Sequence, residues 1–354
     1  MSRARRVLAR SGLALGSVLV TLLAAEGVAR AIGFGAPPPP SHNGRLEFVD
    51  VDDPSLLFVN RADCSYESIY PYADGREPLR VRGSTNSQGF RGPAVPLERG
   101  RALRIACIGD SYTFGEGVED DRTWPAQLAD ELARLRPGLE FEVMNCGVNA
   151  YDTRQEVRAL ETRVLPYAPD LVVLAFFLND AAIRDAGEFA GHEYGRPSAL
   201  YSVLTTSAPV RWLRDRSRLA DGLADRIVRY EYLVFLGESR SRMYSEDSPG
   251  WRSARLELAR ANELCAERGA GFVVVLYPLL FRRGEHLATH AAYRTVAEAC
   301  RAAGIDVLDL EPAFEGEDVD RLRVHPLDSH PNAAGHRIAA RAIAEHLLAA
   351  GLVE

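Results

Sequence analysis

Apolar and polar positions change their rhythm several times along the chain. The first 35 residues carry a basic flank (Arg3, Arg5, Arg6, Arg10) and then an unbroken apolar run from Ser11 to Ala25, bounded by Glu26. Basic residues ahead of an apolar run predict an N-terminus kept in the cytoplasm and a remainder that is exported. Gly27, Val28, Ala29, Ala31 and Ile32 lengthen the run toward a full span if Glu26 and Arg30 pair at i,i+4 near the interface. An uncleaved signal anchor is the preferred expectation, with cleavage at Ala29-Arg30-Ala31 and secretion as its alternative. Residues 36–48, with Pro37 to Pro40, read as a stiff tether. Residues 49–100 hold short apolar pieces and turn formers, among them Asn86, Gly89, Phe90 and Arg91, a turn with an aromatic anchor. The expected division is therefore 1–35 as anchor, 36–100 as tether and extension, and 101–354 as the main domain.

From Leu103 strand and helix patterns alternate. Leu103–Ile108 predicts a strand, and Thr123–Leu135 a helix with Thr123 as its cap and Pro125 in its first turn. Phe141–Asn145 predicts the next strand, and residues 153–165 have helical spacing. Pro169–Phe177 is a continuous apolar run of the kind buried on both faces of a parallel sheet. Helices are expected near 251–267 and 287–303, strands at Gly271–Tyr277 and Ile305–Leu310, and a last helix after Pro331. This alternation predicts a doubly wound α/β sheet. Residues 181–250 break the rhythm with Arg-rich, helix-compatible sequence holding Trp212, Tyr230, Tyr232 and Phe235, expected as a helical insertion that is either a lid or a peripheral packing element.

Composition narrows the chemistry. The chain contains no lysine, which removes Schiff-base lysines, a P-loop lysine and a Ser-Lys dyad. Its net charge is −7; residues 1–35 contribute +4 (five Arg, one Glu), so the rest carries −7 − 4 = −11. So acidic a body is not expected to bind nucleic acid. Cys107 and Cys146 read as small core residues, and whether Cys265 and Cys300 pair stays open. Asp110 and Asp180 have neither His/Cys clusters nor EF-hand spacing beside them and read as caps rather than metal ligands. No metal or cofactor is expected.

The candidate chemistry lies at strand ends. The first strand stops at Gly109-Asp110-Ser111, where an α/β enzyme presents a nucleophile, so Ser111 is the first candidate. A serine needs a base, and His330 has the best context, in a polar turn between the last strand and the last helix; His325 competes. Asp328, two residues away, can reach the imidazole Nδ1 or a nearby amide. The remaining histidines, His42, His192, His286, His290, His336 and His346, read as solvated or structural. Gly147 after the second strand offers an open amide and Asn179 after the third a carboxamide, which with the Ser111 amide make a three-donor oxyanion hole.

Gly109-Asp110-Ser111, Gly147, Asn179-Asp180 and Asp328-x-His330, in that order and spacing, resemble the blocks of the GDSL/SGNH hydrolase superfamily. Asn86, Gly89, Phe90 and Arg91, the string from Gly109 to Gly117, and the anchor ending at Glu26 and Arg30 are similar to its bacterial membrane-anchored branch, often met with polysaccharide genes. The resemblance implies a flavodoxin-like α/β/α fold with a five-stranded parallel sheet. It implies Ser111 as nucleophile, His330 as base, Asp328 as orienting acid, and Ser111, Gly147 and Asn179 as oxyanion donors. Two departures stand out: Phe177 replaces a common glycine, narrowing the acyl pocket, and the Asp-x-x-His spacing is shortened, with Leu327 at the usual acid position. The expected activity is an exported serine esterase removing or transferring a small acyl group, acetyl above all, on an envelope or secreted carbohydrate. A lipid or thioester hydrolase and a non-catalytic carbohydrate-binding or assembly protein are the alternatives.

Overall fold

The computed structural model describes residues 3–32, 34, 42–43, 48–72, 77–181, 184–185, 188–189, 198–280, 287–325 and 328–353, without the side chains of 3–10, 42–43, 184–185, 188–189, 229–241 and 287–289. The proline tether, His192, His286 and Leu327, and the side chains of His42, Tyr230, Tyr232 and Phe235, lie outside the described residues. The chain divides into two compact units, one of residues 1–41, 71–79 and 195–236, the other of 42–70, 80–194 and 237–354.

The larger unit is built on five strands, β1 (Leu103–Gly109), β2 (Phe141–Asn145), β3 (Leu171–Phe176), β4 (Gly271–Leu276) and β5 (Asp306–Asp309). They pair all-parallel in the order β2-β1-β3-β4-β5. This is the flavodoxin-like order, whose switch point lies between β1 and β3. The apolar runs have the reason expected of them: every residue of β3 is buried, because helices cover both faces.

Those helices start where the sequence signals it. Trp124–Leu135 begins at Thr123, whose hydroxyl accepts from the Ala126 amide at 3.4 Å, and buries Trp124, Leu128 and Leu132 along one stripe. Thr153–Ala159 opens with a capping box: Asp152 Oδ1 accepts from the amides of Arg154 and Gln155, and Gln155 Oε1 from the amide of Asp152. Residues 153–165 are not one regular helix, since Leu160–Val164 widens into a π-turn and Leu165–Tyr167 tightens into 3₁₀ around Pro166. Pro249–Glu267 and Leu287–Ala302 follow, and Ala333–Ala349 closes the fold with Asn332 capping the amides of Ala334 and Gly335. Helix 333–349 packs on 124–135, while 249–267 packs on 153–159 and 287–302, giving the α/β/α layering. The Trp124 amide donates to His336 Nδ1 at 3.2 Å across the first pair, and burial drives the His336 pKa down to about 3, so this histidine is a neutral core acceptor.

Cys107, Cys146, Cys265 and Cys300 are buried free thiols, and burial raises their pKa, to about 12 for Cys265 and Cys300. Before β1 the chain forms short antiparallel pairs, including Phe48–Asp50 with Phe58–Asn60.

The smaller unit contains the N-terminal helix, Arg3–Ala31. Its segment Ser11–Ala31, 21 residues with mean hydropathy 1.8, is long and apolar enough to cross a membrane. Within the insertion Arg184–Asp185 pairs antiparallel with Glu188–Phe189, and helices lie at Ala199–Thr206, Ala208–Arg214 and Arg218–Met243.

Candidate active site

β1 ends at Gly109, whose φ of 150° turns the chain out of the sheet, and a Cβ there would lie 2.2 Å from Thr113 Oγ1. The turn delivers Ser111 as the first residue of a four-residue helix, Ser111–Phe114. Asp110 caps this helix through the Tyr112 amide at 2.9 Å, and Asp180 accepts from the Phe177 amide at 2.9 Å after β3. Both acids thus satisfy backbone amides, as their context predicted.

His330 and Asp328 approach from beyond β5. They stand not in an irregular turn but on a short strand, Asp328–Pro331, paired antiparallel with Arg323–His325. His330 Nε2 lies 2.8 Å from Ser111 Oγ, and His330 Nδ1 lies 2.6 Å from Asp328 Oδ1. The same carboxylate oxygen accepts from the His330 amide at 2.9 Å, so both partners anticipated for Asp328 are engaged. An ionised carboxylate only accepts, so Nδ1 carries the proton and neutral Nε2 presents its lone pair to the serine hydroxyl. A spacing of two residues suffices because an extended strand returns successive odd positions to one face. His325 is buried on the neighbouring strand, its ring 6.1 Å from that of Tyr70.

Electrostatics follow from this packing. Burial works to raise the Asp328 carboxyl, but the hydrogen bonds and charge of His330 outweigh it and hold the group below the usual carboxylate range. Burial likewise works to lower His330, and the Asp328 hydrogen bond and charge, helped by Glu116 and Asp110, carry it above the ordinary histidine value.

Asn179 and Gly147, the two further donors expected from strand ends, both lie beside the turn that carries Ser111. Asn179 Nδ2 donates to Asp110 Oδ2 at 3.0 Å, which leaves the second amide hydrogen available. Gly147 lies against the Ser111–Phe114 helix so closely that a Cβ would come within 2.3 Å of the Phe114 nitrogen; its own amide donates to Asn145 Oδ1 at 3.2 Å. The Phe177 ring stacks on Tyr112 with centroids 3.9 Å apart, and Tyr112 in turn lies 5.0 Å from the His330 ring.

Several supporting residues were not singled out from the sequence. Asn60 donates to the Gly147 carbonyl at 3.0 Å, and Asn145 Nδ2 to the Phe114 carbonyl at 3.3 Å. Glu116 accepts from Asn149 Nδ2 at 2.7 Å and from the Tyr70 hydroxyl at 3.0 Å. Buried Arg91 donates to the carbonyls of Phe114, Gly115 and Val118 and pairs with Asp120 at 2.7 Å. Only Arg91 carried a signal, its place in the turn that begins at Asn86; the others acquire their roles from segments distant in sequence.

The chain is similar to an acetylxylan esterase from Geobacillus stearothermophilus, determined as a catalytic mutant of Axe2, at 16% identity and TM-score 0.42 over 70% of this chain and 95% of that one. It is also similar to LAE5, an alpha/beta hydrolase enzyme from the metagenome of Lake Arreo, Spain, at 17% identity and TM-score 0.41 over 73% of this chain and 100% of that one. No curated protein sequence matches it. The model of the GDSL-like Lipase/Acylhydrolase family matches residues 107–338, well over half of the chain and the whole stretch from β1 into the last helix. The chain therefore belongs to the GDSL-like lipase/acylhydrolase family and is a serine hydrolase acting on ester bonds.

Proposed function

We propose that the protein is an exported, membrane-anchored esterase that removes or transfers a small O-acyl group, acetyl above all, on an envelope or secreted carbohydrate. The observation that carries the reading is the continuous contact from Asp328 through His330 to Ser111, 2.6 and 2.8 Å long.

In the first half-reaction Ser111 Oγ attacks the ester carbonyl carbon while His330 Nε2 takes the hydroxyl proton. The carbonyl oxygen becomes an oxyanion, met by the Ser111 amide, the free N–H of Asn179 and the Gly147 amide, which gives up or shares its long bond to Asn145. Collapse expels the alcohol oxygen, which receives the proton from His330 and leaves an acyl-serine. Water or an acceptor hydroxyl, deprotonated by the same imidazole, then restores Ser111. Asp328 holds the tautomer and balances the transient imidazolium. Phe177, stacked on Tyr112 next to His330, supports a small acyl group by filling space a longer chain would need. Carbohydrate as the acyl carrier follows from the resemblance to the membrane-anchored branch, and export from the basic flank ahead of the apolar helix.

The reading is tested on the full chain in detergent, labelled with a fluorophosphonate beside Ser111→Ala and His330→Ala. Label is expected on Ser111 alone, lost in both variants, with ester turnover falling about 10³-fold or more in Ser111→Ala. A folded wild-type chain that takes no label, while still binding saccharide, returns the reading to a non-catalytic binding protein. Preference for long-chain over acetyl nitrophenyl esters turns it to the lipid hydrolase.

A further inference from the structure

The insertion exposes what a soluble helical element hides. Of the three tryptophans, Trp124 and Trp251 are fully buried, whereas Trp212 is 57% exposed. Leu200, Val203, Leu213, Leu223 and Ile227 are exposed with it, on three successive helices. Scattered single apolar residues need no explanation, but a run of them around an open tryptophan marks an interaction surface.

The same helices carry an open cleft of about 690 Å³. Its walls include Arg30, Arg211, Arg214, Arg216 and Arg218, against Asp215 and Asp221. Five cations thus line it with two anions, and Arg30 is further paired with Glu26 at 2.6 Å. Arg214 is held by Asp221 at 2.7 Å, and Arg216 lies over the Trp212 ring at 4.5 Å. Among the described residues, no hydrogen bond or ion pair is found for the Arg211 side chain.

The surface is continuous with the apolar N-terminal helix. Glu26 of that helix accepts from the Ser217 hydroxyl at 2.7 Å and from the amides of Arg218 and Leu219 at 3.0 Å, and Arg30 donates to the Arg216 carbonyl at 3.0 Å. Phe34 packs against Gly222, with the Arg226 guanidinium 4.7 Å above its ring. Glu26 is the charged residue that bounds the unbroken apolar run beginning at Ser11. A helix that spans a bilayer holds such a position at the headgroup level. Everything bonded to Glu26 is held there too.

We propose that residues 199–227 are a membrane-seating element: the apolar side chains around Trp212 enter the interface, and the arginine cleft receives the phosphate of an anionic phospholipid headgroup. The proposal rests on the membrane-anchored reading of the N-terminal helix. Tryptophan and leucine beside arginine is the composition of helices that lie in the bilayer surface, and the cation excess complements an anionic leaflet. A free phosphate would share the cleft's chemistry but would not account for the apolar side chains around it.

The test uses the full chain reconstituted in vesicles of phosphatidylcholine and phosphatidylglycerol, with and without acyl-chain-brominated lipid, and reads tryptophan quenching. Trp212→Phe supplies the background of the two buried tryptophans, and Leu19→Trp in that background reports on the N-terminal helix. The Trp212 emission is expected to be quenched by brominated lipid and shielded from aqueous acrylamide. Arg211→Glu combined with Arg216→Glu is expected to shift the seated-to-free ratio roughly tenfold or more toward free. Quenching of the Leu19→Trp reporter with none of Trp212 overturns the seating and leaves the anchor standing; quenching of neither overturns the anchor itself. Quenching that is equal in pure phosphatidylcholine and in the double variant overturns the headgroup site. Inorganic phosphate that alters Trp212 emission with neutral vesicles, while brominated lipid does not, reassigns the cleft to a soluble anion.

Discussion

At the scale of single residues, the proposed mechanism requires His330 to be neutral to take the Ser111 proton, and its environment favours the charged form. Because Asp328 raises its pKa above the ordinary 6.5, the protonated, inactive fraction grows as pH falls through that raised value. The acid limb of kcat/KM is therefore expected above the usual histidine range. In Asp328→Asn the hydrogen-bonded carboxylate is gone, so the limb moves to lower pH and the plateau falls about 10²- to 10⁴-fold. The pair also links pH to stability. Stabilisation of His330 is fully present below 6.5 and is lost as pH rises through its raised value; that of Asp328 is present above 3.8 and is lost as pH falls through its lowered one. The loss of Tm in Asp328→Asn is accordingly largest between pH 3.8 and 6.5, and a difference independent of pH would contradict the assigned charges. The meeting of these residues was foreseeable because a hydroxyl, an imidazole and a carboxylate each stand at the end of an apolar run or just before a helix cap. Asn60, Asn145 and Glu116 were not foreseeable, since nothing in the local pattern of a polar residue tells which distant carbonyl or amide it will meet.

Elements were legible where burial on both faces imposes a continuous apolar run, as in β3 and β4, and where a cap announces a helix, as at Thr123. The strand holding Asp328 and His330 escaped because two-residue pairing between short polar segments leaves no periodicity to read. What the pattern also hides is how tightly one element rests on another. Gly147 permits the loop after β2 to touch the backbone of the Ser111–Phe114 helix. In Gly147→Ala the methyl group would fall 2.3 Å from the Phe114 nitrogen, and neither backbone can yield as a flexible side chain would. This change is expected to cost about 1–3 kcal/mol of stability by chemical denaturation and to lower kcat by shifting Ser111 relative to His330. An alanine variant with unchanged stability and unchanged kcat would show that the helix is free to move. Arg91 acts on the same helix from its other end, where its fork satisfies three carbonyls at once; a point-charge lysine lacks the geometry to replace it.

For the whole molecule, the alternation of apolar strands and amphipathic helices was enough to predict one doubly wound sheet, but the grouping of residues 1–41 with 195–236 was not readable, because Glu26 and Ser217 are 191 positions apart. What the sequence does express at this scale is an asymmetry of charge. Four arginines precede the apolar helix, and the acidic body follows it. Under the positive-inside rule, translocating those arginines is the unfavourable event, while Asp and Glu impede export little. A C-terminal alkaline phosphatase fusion, active only outside the cytoplasm, is therefore expected to be active. Replacing Arg3, Arg5, Arg6 and Arg10 together by Glu is expected to reduce that activity severalfold by populating the inverted orientation. Mass spectrometry of the membrane fraction is expected to find the chain intact past Ala31, since Glu26 is bonded to Ser217, Arg218 and Leu219 in the folded protein and the helix is part of its structure. An active fusion on a chain beginning after Ala31 would keep the exported topology while replacing the anchor by a cleaved signal, and would remove the Glu26 bonds from the mature fold. An inactive fusion on an intact chain would place the Ser111 site in the cytoplasm and withdraw the envelope carbohydrate as its substrate.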